Sequence, residues 1–320
     1  DQRGWQSVKK KKKKEEEKIM RTRNLKKFVA VAMSVMCLAG AAVGCGNKAA
    51  TSTDGGSTGT ASKEISVISR EDGSGTRGAF IELFGIEEKD ASGKKVDNTT
   101  EDANITSSTS VMMTTVAGNE AAIGYTSLGA LNNTIKALKV DGAEATAANV
   151  KSGTYKISRP FNIATKGTPS DVAQDFINFI MSTEGQKIVE DNGYISEGNK
   201  GAFTSSKATG KVTVGGSSSV SPVMEKLIEA YKKVNTGAEF DFQESDSTSG
   251  MTGAIEGKFD IGMASRELKD SEKSSGLTSQ AIALDGIAVI VNTKNSIDSI
   301  TSEQVKAIFT GETTDWSEVK

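Results

Sequence analysis

One short pattern recurs along this chain and restricts its fold more than any other feature: a strand, a turn of Gly, Ser and Thr, and then a helix. It stands out around 70–77, 215–222 and 245–251. In the first copy, 64–70 (EISVISR) alternates as a strand does and DGSGT follows at 72–76. Ala79, Phe80, Leu83 and Phe84 then recur at helical spacing. In the second copy, 211–214 reads as the strand and 215–219 as the turn. Pro222 suits a first helical turn there, and Val223, Leu227, Ile228 and Tyr231 line one helical face. In the third copy, 239–243 leads through SDSTSG at 245–250 to Met251, Ala254 and Ile255. Each turn sets unpartnered helix N–H groups beside hydroxyls, at the positive end of a helix dipole, and this favours an anion. A single copy is what ordinary helix capping produces. Three copies, with Arg70 at a strand end, point to an anion site.

The remaining segments continue the alternation, which makes the chain α/β. Short strands are expected at 121–125 (AAIGY) and 260–264. The apolar run 287–291 (IAVIV) suits a strand covered on both faces. Ser170 can cap a helix carrying Val172, Phe176, Ile177 and Ile180, expected to run on to Val189 until Asn192-Gly193 stops it. Thr301 and Gln304 form a capping box ahead of Val305, Ile308 and Phe309. The polar stretch 200–210 reads as a linker.

The chain has 320 residues and no His, which argues against His-dependent acid–base chemistry and most zinc or copper sites. Its two cysteines, Cys37 and Cys45, lie in an N-terminal apolar region, so the folded part has neither disulfide nor thiolate metal cluster. Neither a metal nor a cofactor is expected. Residues 1–44 hold 12 of the 39 basic residues and 4 of the 41 acidic ones, leaving the rest at −10. An acidic body is a poor nucleic-acid binder, and any anion must be held by local dipoles.

The first sixty residues read as an address. Met20 opens a secretory signal with Arg21, Arg23, Lys26 and Lys27, followed by the apolar stretch 28–43. That stretch is short for a membrane span of roughly 20 residues. Ala42-Val43-Gly44-Cys45 resembles a bacterial lipobox with Cys45 acylated, although Leu is commoner than Ala at its first position. This makes 20–45 a lipoprotein signal peptide. Residues 1–19, with six consecutive Lys and then three Glu, read as a non-native upstream extension or a disordered tail. The Gly/Ser/Thr/Ala-rich stretch 46–63 reads as a flexible tether.

SREDGSGTR at 69–77 resembles the strand–turn–helix motif of PstS-like phosphate-binding proteins of ABC transporters. So does VAGNEAAIGYTSLGAL at 116–131, and FINFIMSTEGQKIVEDNGY at 176–194 looks like that family's late helix. GGSSSVSPVMEKL at 215–227, QESDSTSGMTGAI at 243–255, DIGMASRELKDSE at 260–272, LDGIAVIVN at 284–292 and VKAIFTGETTDWSEV at 305–319 resemble its early part. The resemblance covers nearly all of 64–320, but the halves are exchanged. It implies a circular permutation rejoined through 200–210; the rival is a fragment of a tandem protein. The implied fold is a two-lobe, periplasmic-binding-protein-like (type II) α/β architecture with the ligand in a cleft. Lobe B would comprise 64–129 with 296–320, and lobe A 130–295, with hinges near 126–130 and 292–296.

The resemblance also implies a site for inorganic phosphate. Arg70, Ser74, Gly75 and Thr76 would lie on one lobe and Ser218, Ser219 and Ser247 on the other. Asp72 matches a family carboxylate that pairs with the arginine, and it is equally a turn-forming Asp. The family's proton-accepting Asp appears here as Ser265, followed by Arg266, so discrimination against sulfate is expected to be weaker. The implied partners are an ABC permease and, through the lipid anchor, the bacterial membrane, with the chain a monomer outside the cytoplasm. The rivals are a phosphate-ester hydrolase using Ser74, and a binding or sensing module for another oxyanion or a peptide.

Overall fold

The computed structural model of the chain describes residues 64–319. The expected signal peptide and tether, with Cys37, Cys45 and the 1–19 segment, lie outside them. Eight strands form a continuous sheet in the order Ala238–Ser245, Gly210–Ser217, Ile261–Ala264, Ser158–Lys166, Leu277–Asn292, Ala122–Ser127, Ser66–Arg70 and Asn104–Thr106. A ninth, Ile135–Ala137, also pairs with Leu277–Asn292. At each end of the sheet the strands run parallel: Ser66–Arg70 with both its neighbours, and Gly210–Ser217 with both of its own. Short turns lead from the parallel strands into helices, so helix amino ends gather at the strands' carboxyl edges.

Two large apolar cores and a small satellite hold this sheet. One core packs Ile68, Phe80, Ile123, Tyr125 and Phe309 around 287–291. The other packs Phe161, Phe176, Val212, Leu227 and Tyr231. The 16-residue strand Leu277–Asn292 belongs to both. Its first part pairs antiparallel with Ser158–Lys166, and 287–291 pairs antiparallel with Ala122–Ser127.

The lobe boundaries therefore differ from those expected. Ile135, Leu138, Val140, Val150, Tyr155 and Ile157 pack with the first core, as do Ile287 to Val291. The second core begins at Phe161 and ends at Ala283. The chain crosses near 157–161 and 283–287, rather than near 126–130 and 292–296. The apolar run 287–291 is covered on both faces, as its sequence suggested, but by the other lobe. The expected long helix after Ser170 is also two helices, Asp171–Ile180 and Thr183–Asp191. Ser182 caps the second by accepting from Gly185 N–H, and this local bond competes with helix continuation.

The 200–210 stretch is not a helix or a strand before Gly210, yet it is tied down. Ser205 Oγ and Ser206 N–H donate to Asp175 at 2.8 Å each, and Phe203 N–H donates to Glu184 at 2.9 Å. Among the described residues no helix is long and apolar enough to cross a membrane.

Candidate functional site

Four helix amino ends meet where the two lobes face each other: Gly75–Leu83 and Thr109–Ala117 from one, Ser221–Val234 and Ser247–Ile255 from the other. Local chemistry sets three of these starts. Ser74 accepts from Arg77 N–H, Ser108 from Val111 N–H, and Asp246 from Ser249 N–H. At Ser221–Val234, Pro222 occupies the first turn and no side chain caps the end.

Arg70 is at the centre and almost fully buried. Its backbone N–H donates to Tyr125 Oη at 3.0 Å, and Ser69 Oγ lies 3.0 Å from the same oxygen. Burial pushes the Tyr125 phenol up to about 12, so it stays protonated as an anchor. The guanidinium donates to Glu71 through Nε and Nη2 (2.8 and 2.7 Å), to Thr109 Oγ1 (3.3 Å) and to Ser218 Oγ (3.1 Å). Its carboxylate partner is thus Glu71, not Asp72. Asp72 is exposed and pairs with Arg77 at the surface.

The hydroxyls meet across the lobes. Thr76 Oγ1 lies 2.8 Å from Ser219 Oγ and 3.3 Å from Ser265 Oγ. Thr109 N–H donates to Ser218 Oγ at 3.1 Å, and Thr109 Oγ1 is 3.0 Å from Ser219 Oγ. Ser265 N–H donates to Ser247 Oγ at 3.0 Å, and Ser217 Oγ donates to Ser265 Oγ at 3.0 Å. All these hydroxyl residues are buried. Gly75 makes the approach possible, since a Cβ there would overlap Ser247 Oγ and sit 2.9 Å from Ser265 Oγ. The sequence-derived Arg70, Thr76, Ser218, Ser219, Ser247 and Ser265 are therefore brought together, with Gly75 at the contact. Ser74 adjoins them but spends its oxygen on the Arg77 cap. Arg266 is engaged by Glu272 at 2.8 and 2.7 Å, so it is not a free positive charge for the site.

Four participants escaped the sequence reading: Glu71, Thr109, Arg159 and Asp285. Thr109 had a signal, since SSTS at 107–110 precedes VMM as the other hydroxyl turns precede their helices. Arg159 had another, since residues 64–319 contain only Arg70, Arg77, Arg159 and Arg266, against many lysines. Arg159 pairs with Asp285 in the interior and donates to Thr76 Oγ1 at 2.9 Å. Burial pushes the Asp285 carboxyl up and the Arg159 guanidinium down, each opposed by the partner's charge.

Taken together, the arrangement can surround a small anion with N–H and O–H donors on both sides. Among the described residues no group of three or more acidic or thiol side chains is arranged to hold a metal ion. A family model for a PBP superfamily domain matches residues 22–184 and 201–320. The phosphate-binding protein PstS 2 of Streptococcus agalactiae is 52% identical over 295 residues, covering 92% of this chain and 98% of the relative. PstS 2 of Streptococcus pneumoniae is 44% identical over 302 residues, covering 94% and 100%. The crystal structure of a phosphate-binding protein of a phosphate ABC transporter from Streptococcus pneumoniae superposes with a TM-score of 0.64 at 46% identity. It covers 80% of this chain and all of that one. On these grounds the chain belongs to the PstS family of phosphate-binding proteins, within the PBP superfamily.

Proposed function

We propose that this protein captures inorganic phosphate between its lobes outside the cytoplasm and delivers it to the permease of an ABC importer. The observation that carries this reading is the contact of Arg70 with Ser218 across the lobes, inside a ring of helix amino ends. Phosphate is strongly hydrated, so burying it requires many donors to replace water. Arg70 supplies a planar charged fork, and Thr76, Thr109, Ser218, Ser219, Ser247 and Ser265 supply hydroxyls. The anion takes the place of the hydrogen bonds these groups make with one another. Gly75 and Thr76 add backbone N–H groups at the first helix end, while the Ser74 N–H is held by the Glu71 carbonyl.

Binding without turnover fits the site better than ester hydrolysis. Ser74, the nucleophile a hydrolase would need, holds its oxygen toward Arg77 N–H, and the chain has no His to serve as its base. A different tetrahedral oxyanion remains the second reading, because Ser265 brings an uncharged oxygen where a carboxylate would select for the ligand's proton. Acylation of Cys45 would tether a monomer to the membrane, with 46–63 as the leash. The segment order, which the PstS 2 relatives share along nearly their whole length, is read as a circular permutation of the order in other family members, a reading supported by the bridge between Glu64 and Asp315 that brings the two ends of the described chain side by side.

Calorimetric titration of phosphate into the phosphate-stripped protein, with sulfate, molybdate and arsenate as competitors, tests the reading. Phosphate should bind at one site and raise the melting temperature by mass action. Neither heat nor a melting shift with phosphate rejects it, and tighter binding of another oxyanion transfers it to that ligand.

A further inference from the structure

Arg159 stands where the chain crosses between the lobes. It lies on Ser158–Lys166 directly opposite Asp285 on Leu277–Asn292, in the antiparallel register of the two crossing strands. Both side chains are buried. Nη1 binds the Asp285 carboxylate and reaches the Gly286 carbonyl at 3.2 Å. The guanidinium carbon lies 5.0 Å from the centre of the Phe161 ring. These contacts leave Nη2 free to extend to Thr76 Oγ1 at 2.9 Å. Nε is buried with no hydrogen-bond partner.

A guanidinium has five N–H donors and no acceptor. Thr76 Oγ1 must therefore accept from Arg159, which turns the Thr76 proton away from Arg159, toward Ser219 at 2.8 Å and Ser265 at 3.3 Å. A hydroxyl fixed as a donor before the ligand arrives needs no reorientation when it meets an oxyanion. Asp285 fixes Arg159 in turn, and because it also neutralises it, the arrangement adds no net charge to the interior.

We infer that Arg159 is a positioning residue for the anion site: held by Asp285 at the crossing, it makes Thr76 a one-way donor to the ligand. This rests on the phosphate reading above. Arg159 acts through the Thr76 hydroxyl, and that predicts a specific pattern of coupling.

The test is phosphate titration of the wild type, the double variant Arg159→Gln/Asp285→Asn, and the same pair change in Thr76→Val and Thr76→Ser backgrounds. The pair variant removes both buried charges together, so neither is left alone. It should weaken phosphate binding by about 10- to 100-fold, the worth of a charge-assisted hydrogen bond. In Thr76→Ser, which keeps the hydroxyl, the pair change should cost a similar factor. In Thr76→Val, where no hydroxyl remains to orient, it should cost about twofold or less. Equal losses in both backgrounds, or a pair variant that binds like the wild type, overturn the inference. Should the pair variant melt far below the wild type without ligand, Arg159→Lys in the same two backgrounds gives the same comparison with a cation retained. A wild type that binds no phosphate removes the function and this inference together, whereas a binding wild type with uncoupled variants removes the inference alone.

Discussion

Arg70 and Ser218, 148 residues apart in sequence, meet at 3.1 Å between Nη2 and Oγ, and this bond joins the two lobes at the site. The same guanidinium holds Glu71 in two hydrogen bonds and Thr109 in a third. Arg70→Ala should weaken phosphate binding by at least about 30-fold, since truncating a buried charge partner costs roughly 2–5 kcal/mol. Arg70→Lys should lose less but not recover, because an ammonium cannot reproduce the planar fork. Titration calorimetry of both variants decides the matter. Near-wild-type affinity in Arg70→Ala would place the ligand elsewhere.

Gly75 gives a prediction that separates lobe contact from folding. A methyl group there would run into Ser247 and Ser265 on the facing lobe, while Gly75 itself starts a helix with ordinary backbone angles. Gly75→Ala should change the ligand-free melting temperature little, since the lobes must part slightly to admit the methyl while reduced freedom of the unfolded chain returns about 0.4–1 kcal/mol. Phosphate affinity should fall by about tenfold or more, because the lobes can no longer meet. Calorimetry with and without phosphate reads both quantities. A loss of ligand-free stability with unchanged affinity would contradict the assignment.

The sequence exposed the helix starts because capping is local: Ser74, Ser170 and Thr301 each satisfy N–H groups within three residues. Much of the site was legible for the same reason, since a turn that caps a helix also presents donors. The lobe boundary was not legible. Residues 287–291 are apolar on both faces, so their pattern cannot say which core covers them, and only pairing with Ala122–Ser127 decides. Arg159 and Asp285 were hidden by distance, since each looks ordinary until the register of two antiparallel strands sets them opposite one another. The choice of Glu71 over Asp72 runs against strand alternation, which would put Arg70 and Asp72 on one side; the strand ends at Arg70, so that pattern no longer governs the two residues that follow.

Asp175 ties the segment after Lys200 to the second core and should control the acid limit of stability. Burial pushes its carboxyl up, but hydrogen bonds from Ser206 N–H and the Tyr231 and Ser205 hydroxyls outweigh this and hold it below its ordinary value of 3.8. A lowered carboxyl stabilises the fold above the unfolded-state value, and that stability is lost as pH falls through the folded-state value. Wild-type stability should therefore decline below about pH 4. Asp175→Asn should be less stable at pH 7 by about 1–3 kcal/mol, with a shallower acid decline. Urea unfolding between pH 3 and pH 7 measures both, and parallel pH curves for the two proteins would assign the acid limit to other groups.

The segment order predicts that the chain can be recut without loss. Ile65 N–H donates to Thr314 O at 2.7 Å, Glu64 bridges Asp315, and Trp316 Nε1 donates to Ala121 O at 2.9 Å, so both ends of the described chain sit on one edge of the first lobe. Between the halves, Lys207 is exposed, while Ser205 and Ser206 are held by Asp175. A chain running 207–319, then a short Gly/Ser linker, then 64–206 keeps these contacts and alters, besides a loop closure, only the local bonds from Lys207 and Ala208 N–H to Ser205 and Ser206 Oγ. Loop closure grows slowly with length, so the cost should be about 1 kcal/mol. Phosphate affinity should stay within about threefold of the original order, because Arg70, Thr76, Ser218 and Ser247 keep their places on the same strands and helices. Expression of both orders, compared by melting and phosphate titration, is the measurement. A recut chain that aggregates or fails to bind would mean that the present order is required for the lobes to assemble, and the permutation reading would fail.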